Sequence, residues 1–173
     1  LDQAHTKAAH EAFSLKENDL VNYGLAFITP STVTGQEQDK QTLAFTFANA
    51  MRDRRPDIHI VTLPETLGAI NRVNITEHYK LMYVDYRDTG VFKRDRLKEV
   101  GEATGVRYMA QLKLATFSQN SNDRLSLLGV RLMQTKQASI RVFFQIWDRT
   151  DGSIAWEGTE EMNYSWDTAT EKP

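Results

Sequence analysis

The sequence predicts an α+β sandwich: a mixed sheet of about five strands, its first two strands joined through a helix, a C-terminal antiparallel meander, and helices packed on one face. Three observations predict it. Residues 141–164, RVFFQIWDRTDGSIAWEGTEEMNY, hold two apolar-alternating runs around Thr150-Asp151-Gly152, a hairpin signal. Leu43, Phe47 and Met51 recur at i, i+4, i+8 between two apolar runs of strand length, 24–30 and 57–63. Val106 to Phe117 alternates apolar and polar residues over a long stretch.

The elements follow in chain order. Residues 1–23 are polar and Ala-rich, with His5, Ala9, Ala12 and Phe13 loosely at helical spacing, and predict a peripheral helix or mobile arm. A single α/β domain over 24–166 follows, and 167–173 read as a polar tail. Gly24 to Pro30 is the first strand, and Ser31 to Gln38 a polar loop. The helix from Asp39 stops before Pro56, because proline disfavours helix at the residue before it. Asp57 to Leu63 is the second strand. Thr62 and Glu65 then have the spacing of a capping box, with Pro64 tolerated in the first turn, so a short helix burying Leu67 and Ile70 is expected.

Asn74 and Glu77 repeat the cap spacing. Tyr79, Met82, Tyr83 and Tyr86 form an i, i+3, i+4, i+7 stripe, and Gly90 closes that helix. Leu97, Val100 and Gly101 mark another helix ended by Gly105; close approach of a neighbouring backbone would explain the glycine inside it. In the long strand Tyr108, Ala110, Leu112 and Leu114 share one face and Arg107, Gln111 and Lys113 the other, which implies an antiparallel sheet with one wet face. After a polar loop over 118–123 comes RLSLLGVRLMQT, apolar on both sides. In the last hairpin, a three-residue Thr-Asp-Gly loop with Gly152 left-handed pairs Ile146 with Trp156 and keeps Ile154 and Trp156 on the face of Val142, Phe144 and Ile146.

Composition narrows the function classes. At 173 residues the chain fits one domain, and 40% hydrophobic with 25% charged residues is ordinary for a globular protein. A net charge of −2 lacks the basic surplus of a nucleic-acid binder. The basic knot Arg52, Arg54 and Arg55 sits at a helix C-terminus, where cations offset the macrodipole; the competing reading is a phosphate or lipid-headgroup patch. There is no cysteine, hence no disulfide, thiolate nucleophile or cysteine zinc site. No apolar run is long enough for a membrane helix. The chain opens on Leu1, so any signal peptide or lipidated cysteine is expected upstream.

Reactive groups do not converge. His5, His10, His59 and His78 have neither HExxH nor helical metal spacing, and His59, between Ile58 and Ile60, reads as a structural histidine. GQEQDK is no phosphate loop, and there is no GxSxG elbow. Glu160 and Glu161 point to opposite strand faces, and Asp85 and Asp88 lie near a polar helix end. No catalytic, metal or cofactor residue is therefore assigned.

Three stretches carry a family resemblance. KEVGEATGVRYMAQLKLATF resembles a passage of the curli-secretion channel lipoproteins and of the N-terminal domain of the Tol-system β-propeller protein, with Gly101, Gly105, Val106 and Tyr108 at its marked positions. IHIVTLPETLGAINR is similar to their strand-then-helix passage through Leu67 and Ile70. IRVFFQIWDRTDGSIAWEG resembles their closing hairpin, with Asp148, Gly152, Ile154 and Trp156 in register. The resemblance spans roughly residues 24–160. It departs at Pro64, where those proteins carry an arginine, and only Ser118 to Lys136 could supply one of the channel's membrane hairpins. It implies a bacterial periplasmic location, tethering at the outer membrane by an upstream lipidated cysteine, no enzymatic activity and no cofactor.

The leading expectation is thus a non-enzymatic envelope lipoprotein domain that scaffolds or assists assembly, export or transport, with other envelope proteins or further copies of itself as partners. Its expected contact surface is Leu125, Leu127, Leu128, Val130, Leu132 and Met133, because a small sheet cannot easily cover both faces of that segment; simple burial is the competing reading. The alternative is a small-ligand or peptidoglycan-binding module with Tyr79, Tyr83 and Tyr86 as an aromatic platform, against which core rings with hydroxyls reaching water are the plainer reading.

Overall fold

The computed structural model describes residues 3–32, 37–121 and 134–168. They form β1 (Gln3–Ala12), α1 (Asp19–Tyr23), β2 (Leu25–Phe27), β3 (Ser31–Thr32), α2 (Glu37–Arg54), β4 (Ile60–Val61), α3 (Leu63–Arg72), α4 (Thr76–Thr89), α5 (Arg94–Thr104), β5 (Tyr108–Ser121), β6 (Gln134–Asp148) and β7 (Ser153–Thr168). The sheet is open and mixed, in the order β1-β7-β6-β5-β2-β4, with β3 also paired to β5. β2 runs parallel to β4 and to β5, whereas β5, β6, β7 and β1 are successive antiparallel neighbours. This is the expected α+β class, with β2 and β4 joined through α2 and a C-terminal meander.

β2 shows how the core is divided. Leu25 and Phe27 point to one face, where Leu43 and Ala48 of α2 join Tyr108, Ala110, Leu112, Val142 and Ile146. Ala26 and Ile28 point to the other, where α3, α4 and α5 gather through Ile70, Met82, Leu97 and Val100 around Met109 and Trp147. All four β2-segment residues are fully buried, which suits a parallel strand covered on both sides. That cover corrects the wet face expected for β5. Met109 is fully buried and Gln111 is 1% exposed, its amide donating to Ser31 Oγ at 2.8 Å. Of the three residues expected on that face, Lys113 is exposed and Arg107 half-buried.

The N-terminal segment is also corrected. Gln3–Ala12 is a strand rather than a helix or loose arm, paired with β7 from Gln3 opposite Ser165 to Ala12 opposite Trp156. Helix-friendly alanines yield to the free edge of β7, since strand preference follows the pairing surface offered. The chain then turns on one acceptor: the Ala155 carbonyl takes N–H bonds from Phe13, Ser14 and Leu15 at 3.0–3.2 Å. At the other end β7 continues through Asp167 and Thr168, into the stretch read as a tail.

In the last hairpin the register is the expected one, by a different route. Ile146 does face Trp156, but Asp148 faces Ser153, so the loop is the four residues 149–152, with Gly152 at φ 74°. The register shift falls at Ala155, between Trp147–Ile154 and Ile146–Trp156. The extra residue sends Ile154 to the α3–α5 face and Trp156 to the α2 face, not both to one. Both faces are covered, so both accept an apolar residue.

The helices start and stop largely as their residues predict. Glu65 Oε1 accepts the Thr62 N–H at 2.8 Å, completing the capping box of α3, and Ile70 is buried while Leu67 is half-buried. Gly90 and Gly105 close α4 and α5 in the left-handed region. The Asn74–Glu77 cap does not form: Asn74 is itself left-handed at φ 64° and Ile75 occupies the N-cap. Gly101 is explained as expected. A Cβ there would stand 2.9 Å from the Val106 carbonyl oxygen and overlap the Arg149 side chain, whose Nε donates to that same carbonyl at 2.7 Å.

Candidate functional site

The tyrosine stripe is the predicted site that the described residues bring together. α4 carries Tyr79, Tyr83 and Tyr86 one turn apart on its sheet-facing side, and each hydroxyl reaches a polar group the sheet leaves open. Thr29 follows Ile28, whose N–H makes the last bond to β5, and precedes Pro30, so its backbone groups have no ladder partner. The Thr29 N–H donates to Tyr79 Oη at 2.8 Å, and Tyr83 Oη donates to the Thr29 carbonyl at 2.7 Å. Tyr86 Oη donates to Gln145 Oε1 at 2.9 Å; that oxygen also accepts from Trp147 Nε1 at 3.0 Å, while the Gln145 amide donates to Glu157 at 3.1 Å.

The ring faces are occupied as well. Tyr86 lies flat on Phe92 with centroids 4.0 Å apart, and Tyr83 meets Phe92 and Tyr79 edge-on at 5.5 and 5.2 Å. Burial pushes the Tyr79, Tyr83 and Tyr86 hydroxyls above the usual tyrosine range, with Tyr83 highest, and Glu157 adds to the shift at Tyr86. They therefore stay protonated through neutral pH. The stripe is a knot tying α4 to β2 and β6. Its outer edge still borders an open groove of about 800 Å³, lined also by Thr29, Ser31, Lys80, Arg87 and Lys113. Among the described residues three cations and no carboxylate line that groove. The sequence pattern of the stripe did not reveal Thr29 or the cations, because they come from three separate elements.

The other predicted residues fare differently. Leu125, Leu127, Leu128, Val130, Leu132 and Met133 lie outside the described residues. His59 is exposed, and its carbonyl rather than its ring is used, accepting the Leu25 N–H at 3.0 Å. His78 Nδ1 lies 2.9 Å from Glu99. Asp85 pairs with Lys93 at 3.6 Å and Asp88 with Arg87 at 3.5 Å, so the two carboxylates do not act together. Among the described residues no three His, Asp or Glu side chains stand close enough to hold a metal ion, and no helix is long and apolar enough to cross a membrane.

A second polar constellation forms a corner that joins β5 to β6. Asp148 is buried, and Arg107 spans both its oxygens, Nε to Oδ1 at 3.0 Å and Nη2 to Oδ2 at 2.9 Å. Thr150 adds its N–H and hydroxyl to Oδ1 at 2.9 and 2.7 Å. Burial alone would raise the Asp148 pKa; the Arg107 and Thr150 donors outweigh it and hold it below the usual carboxylate range. The Arg107 guanidinium also lies over the rings of Tyr23 and Tyr108, at 4.8 and 5.1 Å.

The fold and these constellations define an open mixed-sheet α+β domain with helices on both faces of its short strands and a long antiparallel ribbon. The same fold occurs in PelC from Paraburkholderia phytofirmans, described as a dodecamer: TM-score 0.52, 12% identity, 98% of this chain and 86% of that one covered. The LpoB C-terminal domain from Salmonella enterica matches at TM-score 0.46 and 12% identity, over 82% of this chain and 91% of that one. Lipoprotein GNA1162 from Neisseria meningitidis matches at TM-score 0.46 and 9% identity, over 87% of each chain. No protein-family pattern and no curated protein matches the sequence.

Proposed function

We propose that this chain is a non-enzymatic, periplasmic-facing domain of a bacterial envelope lipoprotein, which scaffolds or assists an assembly, export or transport machine through other envelope proteins or copies of itself. The observation that carries this reading is the ribbon. β5, β6 and β7 are 14, 15 and 16 residues long, against two or three for β2, β3 and β4. β5 runs on about 30 Å beyond Leu112 before the chain enters residues 122–133, at ~3.3 Å per residue. We take the partner contact to be Leu125, Leu127, Leu128, Val130, Leu132 and Met133, which lie between β5 and β6 in the sequence. Two further points support it: the resemblance to curli-channel lipoproteins and the PelC fold, seen in a dodecamer.

The test replaces Leu128 and Leu132 with Asp in the full-length lipidated protein and measures solution mass and co-purification with envelope proteins. The expected result is a folded variant with reduced association. A folded variant that associates as before removes this surface.

A second reading, a small-ligand or peptidoglycan-binding module, is supported by the cation-lined groove beside Tyr79, Tyr83 and Tyr86. Sedimentation with purified peptidoglycan tests it, with Lys80→Glu/Arg87→Glu as the weakened variant. Equal sedimentation of variant and parent excludes the groove.

A further inference from the structure

On the opposite face of the sheet lies a second groove of about 600 Å³. Its apolar wall comes from Leu15, Leu20, Phe47, Met51, Phe144 and Trp156, all only partly buried against the core. The wall is built rather than left over. Trp156 lies along its own strand across Gly158, where a Cβ would come within 2.6 Å of the indole. His10 stacks on that ring at 5.8 Å; Phe144 meets it edge-on at 5.6 Å and is itself met by a tilted Phe47 ring at 6.0 Å. The C-terminal end of α2 adds Arg54 and Arg55 to the lining. Arg55 is committed to Asp57 at 3.0 Å, and among the described residues Arg54 has no carboxylate partner.

The floor decides what kind of occupant fits. β6 lies between β5 and β7, and β7 between β6 and β1, so their ladders are used on both sides. An extended peptide laid here would find no backbone partners, and each buried unpaired amide is destabilising. An acyl chain has no such groups to satisfy, and sites of this size and lining suit small apolar ligands. The charges set its direction. Arg52, at the C-terminal end of α2, donates to the Ile60 carbonyl, and the register runs from Ile60 through Leu25, Tyr108 and Asp148 to Ser153; the arginines therefore sit at the Trp156 end. Glu160, opposite Val142 and four residues beyond Trp156, puts a negative charge at the other end, about 13 Å away. We infer that this groove binds a single acyl chain whose anionic head is held by Arg54. This inference stands apart from the partner role proposed for residues 125–133 and survives if that role fails.

The experiment titrates the full chain with dansylated undecanoic acid below its micelle concentration. Saturable binding of one probe per chain, displaced by palmitate and roughly tenfold less well by hexadecanol, is expected, one charge-assisted contact being worth about that factor. Ala50→Trp and Thr46→Trp, at exposed lining positions of α2, should each fill the groove and abolish binding with the unfolding midpoint unchanged. Arg54→Glu should weaken the acid and leave the alcohol unaffected. Absence of saturable binding, or binding unchanged in both tryptophan variants, overturns the inference. So does a groove that ignores the probe while Ala50→Trp lowers the solution mass, which would assign the face to a protein helix.

Discussion

Arg107 and Asp148 tie the start of β5 to the end of β6 through two hydrogen bonds of 3.0 and 2.9 Å. The pair links three local turns at once. The Arg107 N–H donates to the Tyr23 carbonyl, the Arg107 carbonyl accepts from the Arg149 N–H, and Asp148 organises the loop through Thr150. A buried charge pair contributes through geometry and completeness rather than attraction alone, since removing one partner strands the other.

Asp148→Ala should therefore cost about 2–4 kcal/mol, leaving Arg107 and the Thr150 N–H without their acceptor. Asp148→Asn isolates the charge. The folded-state pKa of Asp148 lies below its unfolded value of ~3.9, so between those values the unfolded chain holds more protons. Its stabilisation is present above that unfolded value and is lost as pH falls through the folded one. Denaturant unfolding from about pH 7 to 3 should show a shallower acid limb in Asp148→Asn. It should not be flat, because Glu65, held low first by the Thr62 N–H, titrates in the same direction.

Gly101 and Arg149 offer a coupled pair. Gly101→Ala pushes a methyl into the Arg149 side chain and to 2.9 Å from the Val106 carbonyl oxygen, and should cost about 1–3 kcal/mol. Arg149→Ala removes the first clash and not the second. In a double-mutant cycle the cost of Gly101→Ala should fall in the Arg149→Ala background without vanishing. Strict additivity would show that the two side chains do not meet.

Much of this was legible beforehand wherever a local rule acted alone. Glu65 three residues after Thr62, Gly90 and Gly105 after apolar stripes, and the Ile146–Trp156 register all follow from spacing. The misreadings arose where tertiary partners override local pattern. Gln3–Ala12 looked helical because nothing local announces the open edge of β7. Gln111 looked solvent-facing because its partner Ser31 lies 80 residues back in the chain. The Ala155 bulge was hidden because a three-residue loop gives the same Ile146–Trp156 pairing. The site was legible only in part: one helix supplies the tyrosines, whereas Thr29, Lys113 and the Trp156 groove are assembled from distant residues.

The edge strand gives a further test. Deleting residues 1–12 uncovers β7 from Trp156 to Ser165 and removes the His10 stack on Trp156. Net ladder bonds of ~0.5–1.5 kcal/mol each, offset by the entropy of ordering the strand, predict a loss of about 1–3 kcal/mol. A bare edge also invites pairing with another chain. Urea unfolding should shift to a lower midpoint, and light scattering should show association that grows with concentration. An unchanged midpoint would mean that β1 adds nothing to the folded state.

The three tyrosine hydroxyls should differ in worth according to what each leaves behind. Tyr83→Phe strands the Thr29 carbonyl and Tyr79→Phe the Thr29 N–H, each a part-buried backbone group, at about 1 kcal/mol. Tyr86→Phe should cost less, about 0.5 kcal/mol, because Gln145 Oε1 keeps the Trp147 Nε1–H. Burial raises all three pKa values, so above pH ~10 the unfolded chain gives up phenolic protons that the folded one retains. The stabilisation is full below that pH and is lost as pH rises toward the folded values. Denaturant unfolding at neutral pH should rank Tyr83→Phe and Tyr79→Phe together above Tyr86→Phe. The same measurement from about pH 8 to 11 should show the alkaline loss weakest in the Tyr79→Phe/Tyr83→Phe double variant. A double variant as alkali-sensitive as the parent would place those hydroxyls in solvent.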